Sequence, residues 1–581
     1  NTFPNKNQTK IVSPKTILKL LSLLLFAFHS YAEGTKELSP NSTKITSLYF
    51  SPSTGVGSNF NAASEDRIYF KIGNHTTENF YFGVGNCVTS NNPNNTSVTD
   101  AYFRILNSAG TVVKGPTILD RTQIDTHAKA LAGANINGTA PTGYTPLVFD
   151  PTANDDYYIE IYRSSNEGAT SSNGNFNIPF FDFQVATAAG SRINGRVYAE
   201  KWSFRATSPT TNWRGDFTDY IDPTLYTFTA DQTVVKVQFT DFQPLAFVPA
   251  FNSYGVNSDE TDWFIGRRSV TSGASSPTLV GGFKTFLNQP DGTQYPPAAL
   301  ATAPTINGKI TGCPGEYLIP YFSNVNGDVR FLLDLNGVAG FQTGTADVIL
   351  EQKDVVAGNN FMPWDGKNGL GVALAANSTM NSKISMLRGR INMPVYDAEV
   401  NSKGFQISAV SPASVSVVKM YWDDSHLTNI TGNGTNLNNT TGPGIDNSIN
   451  GQASPGHAWN GAYGTTLITP PATATTDGNA TTDASDDFGN LRTINTWFWG
   501  LEEQSGSLNI RLPYCLSISG TVFQDGNALK DNLINGVGSN AGGLYAYLVD
   551  STNKVVAIDT VTVDGFYGFN KLRQRLLKLN F

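Results

Sequence analysis

The sequence predicts an all-β protein, a series of tandem antiparallel β-sandwiches, and three observations carry that prediction. Aromatic and β-branched residues recur at every second position in short runs such as Arg67–Ile72 and Tyr157–Tyr162, the period of a strand with one buried face. Turn residues are plentiful, with 55 Gly and 29 Pro in 581 residues. Stretches with the 3.6-residue period of a helix are nearly absent. Aromatic residues make up 11% of the chain and charged residues only 15%, alongside long Thr/Asn/Ser-rich passages, which again suits many short strands joined by turns. The length exceeds one hydrophobic core and has room for about four domains. A net charge of -8, spread along the chain, leaves no basic face to neutralise phosphates, so nucleic acid and anionic membrane surfaces are disfavoured as partners.

Taken in order, residues 1–32 read as a signal peptide. Lys6, Lys10, Lys15 and Lys19 precede the apolar run Leu20–Phe28, and Ser30-Tyr31-Ala32 supplies the small residues of a cleavage site after Ala32. The run is well short of the roughly 20 residues that span hydrocarbon, so no membrane span is expected. The address is extracellular or cell-surface. Residues 41–206 carry the first strand group: 45–50, 67–72, 80–84, 101–106, 157–162, 180–185 and 195–204. Residues 207–211 read as a linker. Residues 212–304 form a second β-rich group, with strands near 225–229, 234–239 and 245–248, and end in a Pro/Ala-rich stretch at 295–304 that reads as another linker. The two linkers predict an elongated string of domains. Residues 305–412 are the most regular, with strands at 329–334, 347–350, 382–387 and 404–410 whose spacing suits an immunoglobulin-like sandwich.

Residues 413–514 are an irregular β module with Trp422 near its start and Trp497 and Trp499 near its end. Between lie Thr/Asn/Gly-rich passages at 429–450 and 465–483, too long for hairpin loops and read as display loops. Residues 515–572 open on Ile518-Ser519-Gly520-Thr521-Val522-Phe523-Gln524-Asp525, continue through the alternating run Leu544–Asp550 and close on Asp564-Gly565-Phe566-Tyr567-Gly568-Phe569. Residues 573–581 are an atypical tail: the basic, Leu-rich stretch from Lys571 on is helix-compatible, as after a truncation.

The last ordered segment resembles the B-type repeat domains of bacterial surface adhesins and the related carboxypeptidase-regulatory-like modules, which implies a prealbumin-like sandwich serving as a spacer. Pro363-Trp364-Asp365-Gly366-Lys367-Asn368-Gly369 resembles the W-D-G turn of secreted bacterial Ig-like modules, in which the Trp fills the sandwich and Asp and Gly build the turn. With the signal peptide and the Trp-rich segments, the chain resembles large surface proteins exported by the type IX route. The resemblance implies adhesion to an extracellular glycan or to a matrix or cell-surface protein. The other reading is a carbohydrate-binding protein, or the accessory region of a polysaccharide-degrading enzyme.

Catalysis has little support in the residues. His75, His127, His426 and His457 have no nucleophile elbow or H-E-x-x-H pattern beside them. The paired acids Asp423-Asp424, Asp486-Asp487 and Glu502-Glu503 are adjacent, and on a strand they point to opposite faces rather than across a cleft. Trp422 beside Asp423 is the stacking-plus-acceptor pair of a sugar site. Asp525, Asn527 and Asp531 place hard oxygen donors at i, i+2 and i+6 on a Gly-containing loop, a candidate Ca²⁺ site, although Leu529 stands at i+4 and no Glu closes the loop. Cys87, Cys313 and Cys515 are far apart, odd in number and without C-x-x-C spacing; they are expected to be buried free thiols.

Overall fold

A computed structural model describes residues 33–573 and 577–580 apart from 54, 90–96, 208–220, 241, 258–261, 272–278, 341, 343, 402–403, 413–418, 425–446, 451–456 and 458–491. Residues 1–32, read as a leader, most of the 207–211 stretch read as a linker, His426, most of the 429–450 passage, the 465–483 passage and Asp486-Asp487 therefore lie outside the described residues. The protein is nearly all β, with 49% strand and 4% helix, and every ladder between named strands among the described residues is antiparallel. No described helix is long and apolar enough to cross a membrane. Two compact units emerge: Asn1–Ala298 with Ile391–Ala413 and Val417–Phe498, and Ala299–Arg390 with Ser414–Ser416 and Trp499–Phe581.

The first unit contains a nine-stranded sheet in the order Phe405–Ser411, Val234–Phe239, Thr224–Phe228, Lys284–Phe286, Val197–Ala199, Ile68–Ile72, Asp155–Arg163, Ala101–Leu106, Val112–Ile118. Val197–Ala199 pairs on one side with Ile68–Ile72 and on the other with Lys284–Phe286, so strands from 41–206 and 212–304 share this sheet. Grouping along the chain does not reveal such partners, because pairing is decided by adjacency in space. Tyr295, from the stretch read as a linker, is buried against Tyr198 and Phe286.

Alternation explains how this sheet finds its partner. Ile68, Phe70 and Ile72 are buried while Tyr69 and Lys71 are half-buried, and the Phe70 ring stacks on Phe80 with centroids 3.8 Å apart. Phe80 lies on Glu78–Gly85, part of a five-stranded sheet with Glu33–Gly34, Phe180–Thr187, Arg192–Ile193 and Leu147–Phe149. Phe82 of the same strand meets Phe103 edge-on at 5.0 Å. The two sheets thus close on an aromatic core, where ring pairs add about 0.5–1.5 kcal/mol each beyond their buried area.

In the second unit, Thr305–Ile306, Tyr317–Ser323 and Gly358–Trp364 form one sheet. Opposite runs a ladder of Val348–Val355, Gly327–Asp334, the 379–387 part of Thr379–Val400, and Leu508–Arg511. Ile319, Tyr321, Phe331, Leu333, Met362, Met386 and Ile510 fill the space between them. Trp364 joins this core, its indole N–H donating to the Lys367 carbonyl at 3.0 Å, while the Asp365 carboxylate accepts the Lys367 N–H at 2.9 Å. Gly366, at φ 79°, completes the turn, and a side chain there would strike the Tyr317 ring. This is the structural role expected of the W-D-G residues.

The terminal segment pairs Cys515–Thr521 with Phe566–Arg573 and Tyr545–Asp550 with Val555–Thr560, around Ala546, Leu548, Val561, Tyr567 and Phe569. A Cβ on Gly520 would overlap the Tyr567 ring, so the opening and closing motifs are two sides of one contact. Two expectations are corrected here. Leu577–Asn580 is a strand paired with Tyr545–Asp550, not a helix, because the waiting edge of that strand outweighs the helical propensity of Leu and Lys. Cys313 and Cys515 are not free: they form a disulfide with Cα atoms 5.6 Å apart, although 202 residues separate them. Cys87 is the buried free thiol, pushed up to about 12 by desolvation.

Candidate functional site

The structure distributes the expected site residues over two places, and it builds a third that the sequence did not single out. In the terminal loop, the Asp525 Oδ2 accepts the Leu529 N–H, the Asn527 Oδ1 accepts the Lys530 N–H at 3.1 Å, and the Asp531 Oδ1 accepts the Leu533 N–H at 3.0 Å. These are Asx-type turns, helped by positive φ at Ala528, Leu529 and Asn532. The Leu533 N–H, followed by the Asn527 side chain, holds the Asp531 carboxyl below its ordinary range. The other Asp525 oxygen, Oδ1, is buried with no hydrogen-bond partner among the described residues, an acceptor that a cation would satisfy. With two acids and one amide the loop offers few side-chain oxygens, so Ca²⁺ would need backbone carbonyls and water to complete its shell. Among the described residues no three His, Cys, Asp or Glu side chains converge on one point.

Trp422 and Asp423 lie in the first unit's interior, 1% and 0% exposed. The Trp422 indole is stacked on the His457 imidazole, with centroids 4.6 Å apart and planes 7° from parallel, and Asp423 faces Arg268 at 3.3 Å. One face of the ring that the sequence offered to a sugar is thus taken by a side chain. The neighbouring acid turns elsewhere. Asp424 accepts from Ser269 Oγ at 2.6 Å and meets His457 Nε2 at 2.9 Å, while His457 Nδ1 lies 2.5 Å from Thr496 Oγ1. Asn401 clamps the His457 carbonyl at 2.8 Å.

A hydroxyl, an imidazole and a carboxylate in line have the order of a nucleophile relay. Here Thr496 and His457 are 1% and 0% exposed, so the hydroxyl and the imidazole are both buried. The arrangement is an internal polar network that fixes the Lys419–Trp422 and Arg492–Gln504 strands to the segment around Ser269. His75 and His127 contact Asn154 and the Ser39 carbonyl, with no nucleophile in either contact.

The third place is a half-open cleft of about 670 Å³ in the second unit, within the usual range for ligand sites. One wall is the segment Ile306–Gly312 and the other is Asn509–Tyr514, with Asn377 between them. On Leu508–Arg511 the strand alternation buries Ile510 and leaves Asn509 and Arg511 exposed, and all three line the cleft. Tyr514 is 51% exposed, and its hydroxyl accepts the Asn377 amide at 2.7 Å, which fixes the ring in place. Gly312 and Tyr514 each adjoin a cysteine of the Cys313–Cys515 disulfide, so a covalent bond ties the two walls together. Sequence reading missed this cleft because its residues come from three separated segments; an exposed aromatic beside a cysteine was the sole local signal. No protein-family model matches the chain, and no characterised protein matches it in sequence.

Proposed function

We propose that the chain is an exported, non-catalytic protein of the cell surface whose β-sandwich units have structural and adhesive roles, as in the type IX-exported surface proteins it resembles. The observation that carries this reading is the Cys313–Cys515 disulfide, which belongs to an oxidising compartment and agrees with a leader ending at Ala32. The terminal module supports a spacer role through the Gly520–Tyr567 contact, and Ca²⁺ bound by Asp525, Asn527 and Asp531 would stiffen its loop. Protease shaving of intact cells tests the address: peptides of this chain should be released, with residue 33 as the N-terminus of the mature form. Full protection in intact cells, with Cys313 and Cys515 reduced, would refute it.

The cleft beside Tyr514 favours a second reading within the same address, a carbohydrate-binding protein. Its fixed, exposed ring and its amide and hydroxyl groups suit a sugar better than the buried pair Trp422 and Asp423 does.

A further inference from the structure

We propose that the cleft between Ile306–Gly312 and Asn509–Tyr514 is a binding site for an acidic polysaccharide, whose carboxylate or sulfate groups meet Lys309 and Arg511 while a sugar ring lies on Tyr514. This deepens the surface-adhesion reading by giving it a partner class, and it rests on that reading only for where the ligand is encountered.

Charge is the first argument. Lys309 and Arg511 both line the cleft and both are exposed. Neither has an acidic partner within 4 Å among the described residues, whereas Arg104, Arg163, Arg196, Arg330 and Arg390 all do. Among the described residues no Asp or Glu lines the cleft. In a chain of net charge -8 this is a local positive site, set on one face of a strand and on the segment opposite. Cations without an acidic partner among the described residues are available to an anion, and they draw it in at low ionic strength.

Chemistry is the second. Tyr514 presents an aromatic plane held by the Asn377 amide, so little side-chain entropy is lost when a ring packs on it. The Asn509 amide and the Thr311 hydroxyl supply the donors and acceptors that ring hydroxyls need. Asn509 and Arg511 are two positions apart on one strand, hence about 7 Å apart along it, which lets one sugar unit engage both. Rigidity is the third: the disulfide and the pairing of Leu508–Arg511 with 379–382 set both walls before any ligand arrives.

The test is binding of the purified chain to polygalacturonate, heparin, dextran and poly-glutamate, each at 50 and 300 mM salt. At least one acidic polysaccharide should bind with salt-dependent affinity, and dextran should not. Lys309→Ala and Arg511→Ala should each weaken binding about tenfold, as expected for one charge-assisted contact. Tyr514→Ala should weaken it comparably at both salt concentrations, a response that a purely ionic surface would not give. All three residues are exposed, and unchanged melting curves would show that the variants are folded. Equal binding of dextran, indifference to all three substitutions, or poly-glutamate binding as tightly as the polysaccharides would overturn the proposal; the last outcome would indicate an acidic-peptide site. These results are independent of the shaving experiment, so a failed address and a failed ligand are distinguishable.

Discussion

Glu33 should make the first unit lose stability as pH rises, and the structure sets both the size and the window. The side chain is 1% exposed, on the two-residue strand that pairs with Phe180–Thr187, and its Oε1 accepts the Arg196 N–H at 3.0 Å. Desolvation raises its carboxyl from 4.5 to about 8, with Asp182 adding a smaller upward push against three backbone N–H groups that lower it. Asp182 is itself raised to about 6 by burial, and Glu37 is raised by burial and by Asp182; Lys36 and Arg192 are the nearby cations. A carboxyl raised on folding contributes stability that is fully present below its unfolded value and lost as pH climbs through the folded one. The window is therefore from about 4.5 to about 8. At 1.36 kcal/mol per pH unit the whole window is worth up to about 5 kcal/mol, of which about 3 kcal/mol falls between pH 5 and 7.5. Urea unfolding of wild type and Glu33→Gln across that range reads the effect together with the part of the Glu37 shift that the Glu33 charge causes. With residues ahead of Glu33 retained, wild type should lose more stability than the variant, by about that amount. A chain beginning at Glu33 should show a shallower loss, because the new α-ammonium favours the ionised carboxylate beside it. Superimposable pH profiles for wild type and Glu33→Gln would refute the reasoning.

The disulfide closes a loop of 202 residues, and the chain-entropy argument assigns it about 5 kcal/mol, so Cys313→Ser with Cys515→Ser should lower the urea midpoint substantially. Under denaturing, non-reducing conditions one thiol, that of Cys87, should react; three would disprove the bond. Trp499, with Arg330 and Lys353 over its ring, donates its indole N–H to the buried Asp328 Oδ2 at 2.9 Å, so Trp499→Phe should cost about 1–3 kcal/mol in unfolding. If the loop at Asp525 binds Ca²⁺, the metal at a hundredfold excess over Kd should stabilise the terminal module by about 2.7 kcal/mol, and Asp525→Ala should abolish the gain. Coincident melting curves in EDTA and millimolar calcium would exclude that site.

What could be read in the sequence was local. Ile68, Phe70 and Ile72 announce a half-buried strand because the signal repeats every two residues, and the Trp364-Asp365-Gly366 turn is legible because its hydrogen bonds close within three residues. What could not be read depends on contacts between distant segments. The Cys313–Cys515 pair has no spacing signature across 202 residues. Leu577–Asn580 carries helix formers and becomes a strand through Tyr545–Asp550. Trp422 and Asp423 had the composition of a sugar site, but composition does not say which way a side chain faces, and His457 and Arg268 occupy them from inside. The cleft is the converse case: Lys309, Asn377, Arg511 and Tyr514 are each unremarkable alone, and only the folded walls bring together one aromatic ring and two cations that have no acidic partner among the described residues. A search of sequence for aromatic–acid neighbours therefore points to interior packing here, whereas the surface chemistry follows from which charges the fold leaves without an ion pair.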